Sequence, residues 1–333
     1  MLQTEEKAKN VEILVNRLLK AMEEASPKIK KIVGHIWPDL DVLLCFWIAK
    51  KFIPKTKDAE IVLLNAGSCI PDAENDPGIL HFDTGGGKYD QHMKGGNTCS
   101  AVLLAKDLGI ENDPGLKLLL DLATLVDNIE ENEKISSTDI CHVIQGFPYL
   151  FRKEGKPDWE RVVERSFEIF ESLYKKTIND LRNEQNAEKY TKWRILENGI
   201  KIAVMFGNPG FRYAAFKKGT TVVLWTKEDG NHFKTGIQTN IKVPQLKLDE
   251  VVGALRFKDS KIRGIDTEDK DLLLTGEHIF WFLHDKERLI LNGSKKRDLK
   301  EDEFTKLKPW EIENLVCSVL SRIPVEEVRN WKQ

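Results

Sequence analysis

Ile32-Val33-Gly34-His35-Ile36-Trp37-Pro38-Asp39-Leu40-Asp41 is a short apolar run that breaks into a glycine, a histidine and two aspartates. The apolar part reads as a strand, Lys31–His35, and the residues after Asp41 read as a helix, Val42–Phe52, stopped by Pro54. A strand that ends in polar residues and feeds a helix places them in the crevice at the carboxyl edge of a parallel sheet. A second run of the same kind, Ile79-Leu80-His81-Phe82, ends in Asp83 and is followed by Gly85-Gly86-Gly87.

Outward from these stretches, strand and helix patterns alternate. The spacing predicts a helix over 5–25, strands at Ile61–Asn65 and Ile79–Phe82, and helices over Thr98–Leu108 and Pro114–Asp127. A charged helix follows from Asp158 to about Tyr190, with Val162, Phe167, Phe170, Leu173 and Tyr174 as its buried stripe. After Leu196 the pattern changes to strands at Ile200–Phe206, Tyr213–Phe216, Thr220–Thr226 and Phe233–Thr239, with a turn at Glu228-Asp229-Gly230-Asn231. Helices are expected at Leu246–Phe257 and Pro309–Arg322. The expected fold is α/β: a mostly parallel N-terminal sheet flanked by helices over 1–190, and a smaller antiparallel α+β domain over 191–333.

With 333 residues, 41% hydrophobic and 31% charged, the chain has the composition of a soluble globular protein with room for two cores. The opening Met1–Lys7 is charged rather than signal-like, and no apolar run approaches 18 residues, so neither a leader nor a membrane span is expected. The five cysteines show no C-x-x-C pair, which argues against disulfides and structural zinc and for a reducing, cytoplasmic setting. Oligomeric state is not readable. Between Lys192 and Arg263, fourteen Lys or Arg face six Asp or Glu, in a chain whose net charge is −2. A basic segment beside an acidic half fits a polyanionic substrate, and it also fits an ordinary solvated face.

His35, Asp39, Asp41, Asp83, His92 and Asp127 all fall at predicted strand ends or helix termini of the first domain. Oxygen ligands with imidazole suit Mn²⁺ or Mg²⁺, and a carboxylate-rich site suits phosphoryl chemistry at two paired ions. Asp83 is the candidate bridging ligand. Taken singly, each residue has a plainer reading: Asp41 as a helix N-cap, His35 as a packed or surface histidine, Asp127 as a loop residue, His81 as a satisfied core histidine.

The order His-x-x-x-Asp-x-Asp, a strand-end Asp-x-Gly, Tyr89-Asp90-Gln91-His92 and a later helix Asp resembles the DHH phosphoesterase superfamily. Within it the likeness is to the melanocyte-proliferating-gene family of exonucleases, through Phe82-Asp83-Thr84-Gly85-Gly86, Thr98-Cys99-Ser100-Ala101, Trp281-Phe282-Leu283-His284 and Leu291-Asn292-Gly293-Ser294. The resemblance implies that His35 and Asp39 hold one ion and Asp41 and Asp127 the other, with Asp83 between them. It implies that His92 contacts the scissile phosphate, beside Asp83 and Asp90 in the catalytic group. The chain departs from the family at Gln91, which stands where the triplet's first histidine ligand would be and offers only a neutral carbonyl oxygen.

Lys88, Lys94 and Thr98 flank this block and suit phosphate binding, with Gly95-Gly96-Asn97-Thr98 opening a helix whose amides favour an anion or are simply capped by Asn97 or Thr98. In the second domain Lys217, Lys218, His232 and Arg256 are candidate contacts to a nucleic-acid backbone, with Phe211, Tyr213 or Phe233 available to stack a base. The expected activity is a metal-dependent phosphodiesterase, an exonuclease on single-stranded RNA or DNA or on short oligonucleotides. The alternatives are hydrolysis of a small phosphate such as pyrophosphate or a cyclic dinucleotide, and a nucleic-acid or nucleotide-binding protein whose turnover is weakened by Gln91.

Overall fold

Ile32 and Val33 are fully buried in strand β1 (Lys31–His35), which pairs in parallel with β2 (Glu60–Leu64) on one side and β3 (Ile79–His81) on the other. The computed structural model describes residues 28–71, 76–92, 97–128, 139–207, 210–265, 281–284, 286–292 and 299–331. The helix expected over 5–25 and the candidate Lys94 lie outside them.

Helix α1 (Leu40–Phe52) is buried at every position from Leu40 to Ala49, so it is a central helix rather than an amphipathic surface one. Its approach to β1 depends on Gly34. A Cβ there would stand 2.4 Å from Val42 Cγ1 and 2.8 Å from Phe46 Cζ. Around α1 pack α2 (Ser100–Asp107), α3 (Lys117–Asp127) and α4 (Ile140–Leu150). A small hairpin, β4 (Arg152–Lys153) and β5 (Lys156–Pro157), leads into the long helix α5 (Trp159–Tyr190). From α5, Val163 and Phe170 enter the same core as Leu43, Phe46, Trp47 and Phe82. The first sheet is therefore parallel and flanked by helices, as expected.

The chain divides within α5 into two compact units, Met1–Ile178 and Asn179–Gln333. The second holds a six-stranded sheet of order β10-β11-β9-β8-β7-β6, built from β6 (Thr191–Ile195), β7 (Lys201–Phe206), β8 (Val222–Asp229), β9 (His232–Thr239), β10 (Trp281–Leu283) and β11 (Leu289–Asn292). Among the described residues, this unit also holds helices α6 (Phe211–Lys217), α7 (Asp249–Arg263), α8 (Pro309–Leu320) and α9 (Val325–Asn330).

Alternation along β7 and β8 serves two cores. Ile202, Val204, Val222 and Leu224 face one with Val251, Leu255 and Val316, whereas Ala203, Met205, Val223 and Trp225 face the other with Ala214 and Ala215.

Two expectations change here. Tyr213–Phe216 is helical, because Phe211, Ala214 and Ala215 are the buried positions and follow a helical period. With α6 as the crossover, β7 and β8 pair in parallel, so the sheet is mixed rather than wholly antiparallel. Among the described residues no helix is long and apolar enough to cross a membrane, and all five cysteines are free.

Candidate metal centre

His35 closes β1 and Asp39 is the N-cap of α1, its Oδ1 accepting from Val42 N at 3.1 Å. The capping role considered for Asp41 thus belongs to Asp39. Asp41 instead lies in the first turn, fully buried, and accepts from the backbone amides of Ser100 and Ala101 at 2.8 Å each. Those amides open α2, whose N-cap is Cys99 without a side-chain cap, so neither Asn97 nor Thr98 caps it. Part of the anion-binding capacity expected at this helix start is therefore used on Asp41.

Asp83 follows β3 with φ of 51°, a left-handed conformation uncommon outside glycine. Gly85 and Gly86 continue the turn at φ of 78° and 69°, and a Cβ on Gly85 would meet Cys69 Cβ at 2.8 Å. The loop then returns: Phe82 bridges Tyr89, and Asp83 N donates to Tyr89 O at 3.1 Å. Asp90 clamps this loop, its two oxygens accepting from Gly86 N at 2.8 Å and His92 N at 3.1 Å. The return brings Gln91 and His92 onto Asp83.

Asp83 is the point of convergence. His35 Nε2 lies 3.2 Å from Asp83 Oδ2 and 4.0 Å from Asp39 Oδ2, and His92 Nε2 lies 3.1 Å from Asp83 Oδ1. His35 Nδ1 donates to Ile36 O at 3.0 Å, which fixes the ring so that Nε2 faces the carboxylates. Among the described residues, three groups have ligand atoms within 4.8 Å of one another: His35, Asp39 and Asp83; Asp41, Asp83 and Asp127; Asp83, Asp90 and His92. Asp83 belongs to all three.

The electrostatics fit a cation. The hydrogen bond to Asp83 raises the His35 imidazole to about 9. Burial pushes the carboxyls of Asp39 and Asp41 up, Asp41 strongly, and it raises Asp127 to about 6, with the charges of Asp83 and Asp39 adding to that last shift. Among the described residues no Lys or Arg pairs with Asp39, Asp41, Asp83 or Asp127. Buried carboxylates gathered without a lysine or arginine partner are costly unless a charged histidine, bound protons or a metal ion compensates them. Oxygen donors with one or two imidazoles suit a hard or borderline divalent ion.

Gln91 sits inside this constellation, 6% exposed. Its Nε2 donates to Asp83 Oδ1 at 2.6 Å and to both oxygens of Asp127 at 3.2 Å. Ser100 Oγ lies 2.6 Å from Gln91 Oε1 and also within reach of the Tyr89 carbonyl. The atom of Gln91 with ligand character thus faces Ser100, while its amide N–H groups face the acids.

The remaining candidates fall elsewhere. Lys88 pairs with Asp107 at 2.6 Å, and Tyr89 OH donates to the same carboxylate at 2.6 Å. The Thr98 hydroxyl is buried and makes no hydrogen bond among the described residues. His81 Nε2 accepts from Ile70 N at 3.1 Å, and burial lowers its basicity, as suits a core histidine. In the C-terminal unit, Lys217 pairs with Glu184 and Lys218 with Glu188. His232 stacks on Phe304 at 4.7 Å. Arg256 is 5% exposed and holds the Trp281 carbonyl at 2.7 Å, which takes it out of the surface set. Of the candidate stacking rings, Phe211 is buried whereas Tyr213 is 61% exposed.

Ser100 escaped the sequence reading as a participant. Its backbone N and hydroxyl serve Asp41 and Gln91 together, and a serine at a helix start carries no long-range signal of that kind.

No protein-family model and no curated protein matches this chain. Among solved structures it is similar to a pGpG-specific phosphodiesterase from Vibrio cholerae, at 9% identity over 68% of this chain and 88% of the other, with a TM-score of 0.31. It is also similar to the DHH domain of a protein assigned to a family of ribosomal proteins, at 12% identity over 94% and 92% of the two chains, TM-score 0.30. An exopolyphosphatase-related protein from Bacteroides fragilis aligns at 10% identity over 92% and 96%, TM-score 0.25. Similarity at this level identifies no family, and the acidic cluster around Asp83 carries the functional reading.

Proposed function

We infer that this chain is a metal-dependent phosphoesterase of the DHH type, acting as an exonuclease on single-stranded nucleic acid or short oligonucleotides in a reducing, cytoplasmic setting. The observation that carries the reading is Asp83, a buried, left-handed aspartate shared by three ligand groups. His35 and Asp39 would hold one divalent ion, Mn²⁺ or Mg²⁺, with Asp83, while Asp41 and Asp127 would hold a second on its other side. Such ions, when bound, polarise a phosphoryl oxygen and make water acidic enough to supply a nucleophile near neutral pH.

The chain's own residues set the rest. Ser100 N and Ala101 N hold the Asp41 carboxylate in place. Asp90 fixes the loop that carries His92. His92, with its side chain 68% exposed and Nε2 directed at Asp83, stands on the solvent side of the cluster, where it suits hydrogen bonding to a phosphate oxygen. The N-terminal unit holds this chemistry, and the C-terminal unit, with Lys217, Lys218 and His232, would hold the polymer.

The test is incubation with Mn²⁺, then with chelator, of end-labelled single-stranded RNA and DNA, with Asp83→Asn alongside. Manganese-dependent shortening that the variant loses supports the reading. Full activity in the variant, or no shortening of either polymer by the native chain, overturns it.

A further inference from the structure

Trp37 lies two residues from His35 and two from Asp39, so its Cα is within about 7 Å of each along the chain. It is locked in a left-handed conformation, φ of 59°, directly before Pro38. For a bulky residue that conformation is an outlier. What it secures is not burial: Trp37 remains 50% exposed, whereas Trp47 in the same unit is 4% exposed and Phe170 fully buried.

The indole is nevertheless supported by other rings. Trp159 meets it edge-on, centroids 5.1 Å apart at 83°, and Tyr149, itself 70% exposed, stands 6.2 Å away at 45°. Such T-shaped and tilted contacts brace the ring while half of it stays open to solvent.

Tyr149 lies in the last turn of α4 and Trp159 begins α5, so the β4–β5 hairpin springs from between the two supports. In its register Lys153 lies directly opposite Lys156, both are exposed, and neither has an ion pair among the described residues. Like charges directly across a hairpin repel. That repulsion is relieved when a polyanion lies alongside.

We propose that Trp37, braced by Trp159 and Tyr149, is a stacking shelf for a nucleobase of the substrate, with Lys153 and Lys156 as the accompanying contact to its phosphate backbone. The proposal rests on the phosphoesterase reading for where the scissile phosphate lies. It deepens that reading by naming the residues that would hold a base of the substrate, a contact that pyrophosphate or polyphosphate could not make. One residue separates the shelf from each of two candidate ligands, a span comparable with that from a phosphate to the base of its own nucleotide. Aromatic stacking of this kind tolerates any base.

Equilibrium binding in chelator separates this proposal from the catalytic one, because it needs no turnover. The probes are a fluorescein-labelled single-stranded hexadeoxynucleotide and its abasic counterpart with the same backbone. Trp37→Ala should weaken the hexanucleotide about tenfold and leave the abasic strand unchanged, with Trp37→Phe recovering most of the loss. Lys153→Ala with Lys156→Ala should weaken both probes alike and reduce their salt dependence. Equal loss on both probes in Trp37→Ala, or no loss on the base-bearing one, overturns the shelf. Manganese-dependent hydrolysis of the hexanucleotide is followed in parallel. Base-selective binding without hydrolysis would sink the enzyme reading and leave the shelf standing, while hydrolysis with no base-selective loss of binding in Trp37→Ala would do the reverse.

Discussion

Gln91 Nε2 donates to Asp83 Oδ1 at 2.6 Å, so a neutral amide engages the carboxylate on which all three ligand groups converge. The same nitrogen reaches both oxygens of Asp127 at 3.2 Å. An imidazole in this place would add a nitrogen ligand where the amide offers N–H groups. The ion on the Asp41 and Asp127 side should therefore bind about tenfold more weakly than the ion on the His35 and Asp39 side. Calorimetric titration with Mn²⁺ should resolve the two, and Gln91→His should narrow the gap. An unchanged second affinity in that variant would remove Gln91 from the account.

Gly34 links the packing of the first unit to its chemistry. Gly34→Ala drives a methyl into Val42 Cγ1 at 2.4 Å and Phe46 Cζ at 2.8 Å. Both partners lie on a fully buried stretch of α1 that has little room to shift. Overpacking of that kind costs about 1–3 kcal/mol. Because Gly34 precedes His35 and α1 starts at the Asp39 cap, any relief moves candidate ligands. The thermal unfolding midpoint should drop by several degrees and Mn²⁺ affinity should fall with it. Loss of stability with unchanged metal affinity would show that strand and helix separate without disturbing the ligands.

Much of the first unit was legible because its signals are local. Apolar runs ending in Asp or His, followed by a glycine or a helix, announce a parallel sheet and its polar edge, and β1, β3 and α1 lie close to where those runs put them. The gathering of His35, Asp39, Asp41, Asp83 and Asp127 follows from that edge. What sequence could not show is which acid caps and which is clamped, since that depends on Ser100, 59 residues from Asp41. The second unit was harder to read for a different reason. Arg212-Tyr213-Ala214-Ala215-Phe216 is short enough for its aromatic residues to mimic a strand, and only burial of Phe211, Ala214 and Ala215 on one side reveals a helix. The basic segment does carry an excess of positive charge, but Lys192 and Arg194 are spent on Glu313, and Arg256 on a backbone carbonyl.

Glu313 gives the second unit a pH-dependent contribution to stability. Its carboxylate is nearly buried on α8, where Lys192 Nζ reaches Oε1 at 2.8 Å and Arg194 Nε donates to the same oxygen. Burial alone would raise its pKa, but the hydrogen bonds and charges of Lys192 and Arg194 outweigh it and hold the group below the usual glutamate range. A depressed folded-state pKa contributes stability that is fully present above the unfolded value of about 4.3 and is lost as pH falls through the folded value. Glu313→Gln should cost about 2 kcal/mol near pH 7 and much less at about pH 3. Urea unfolding at both pH values checks this. An equal cost at the two would mean that the carboxylate's charge contributes nothing.

Lys217 and Lys218 are the sharper test of how a polymer is held. Each is engaged by a glutamate of α5, Lys217 by Glu184 and Lys218 by Glu188 at 3.2 Å, yet the two lysine side chains remain 71% and 40% exposed. Pairs this accessible are worth only about 0–1 kcal/mol and are screened by salt, so a phosphate can displace the glutamate at little cost. If both lysines meet phosphates of a single strand, replacing both with Ala should reduce the slope of log Kobs against log salt by about 1.4. Their loss would also free Glu184 and Glu188 to repel the strand, so affinity should fall by more than the slope alone implies. A salt titration of labelled single-stranded DNA against native and doubly substituted protein measures both quantities. An unchanged slope would assign the two lysines to holding α6 against α5 rather than to the substrate.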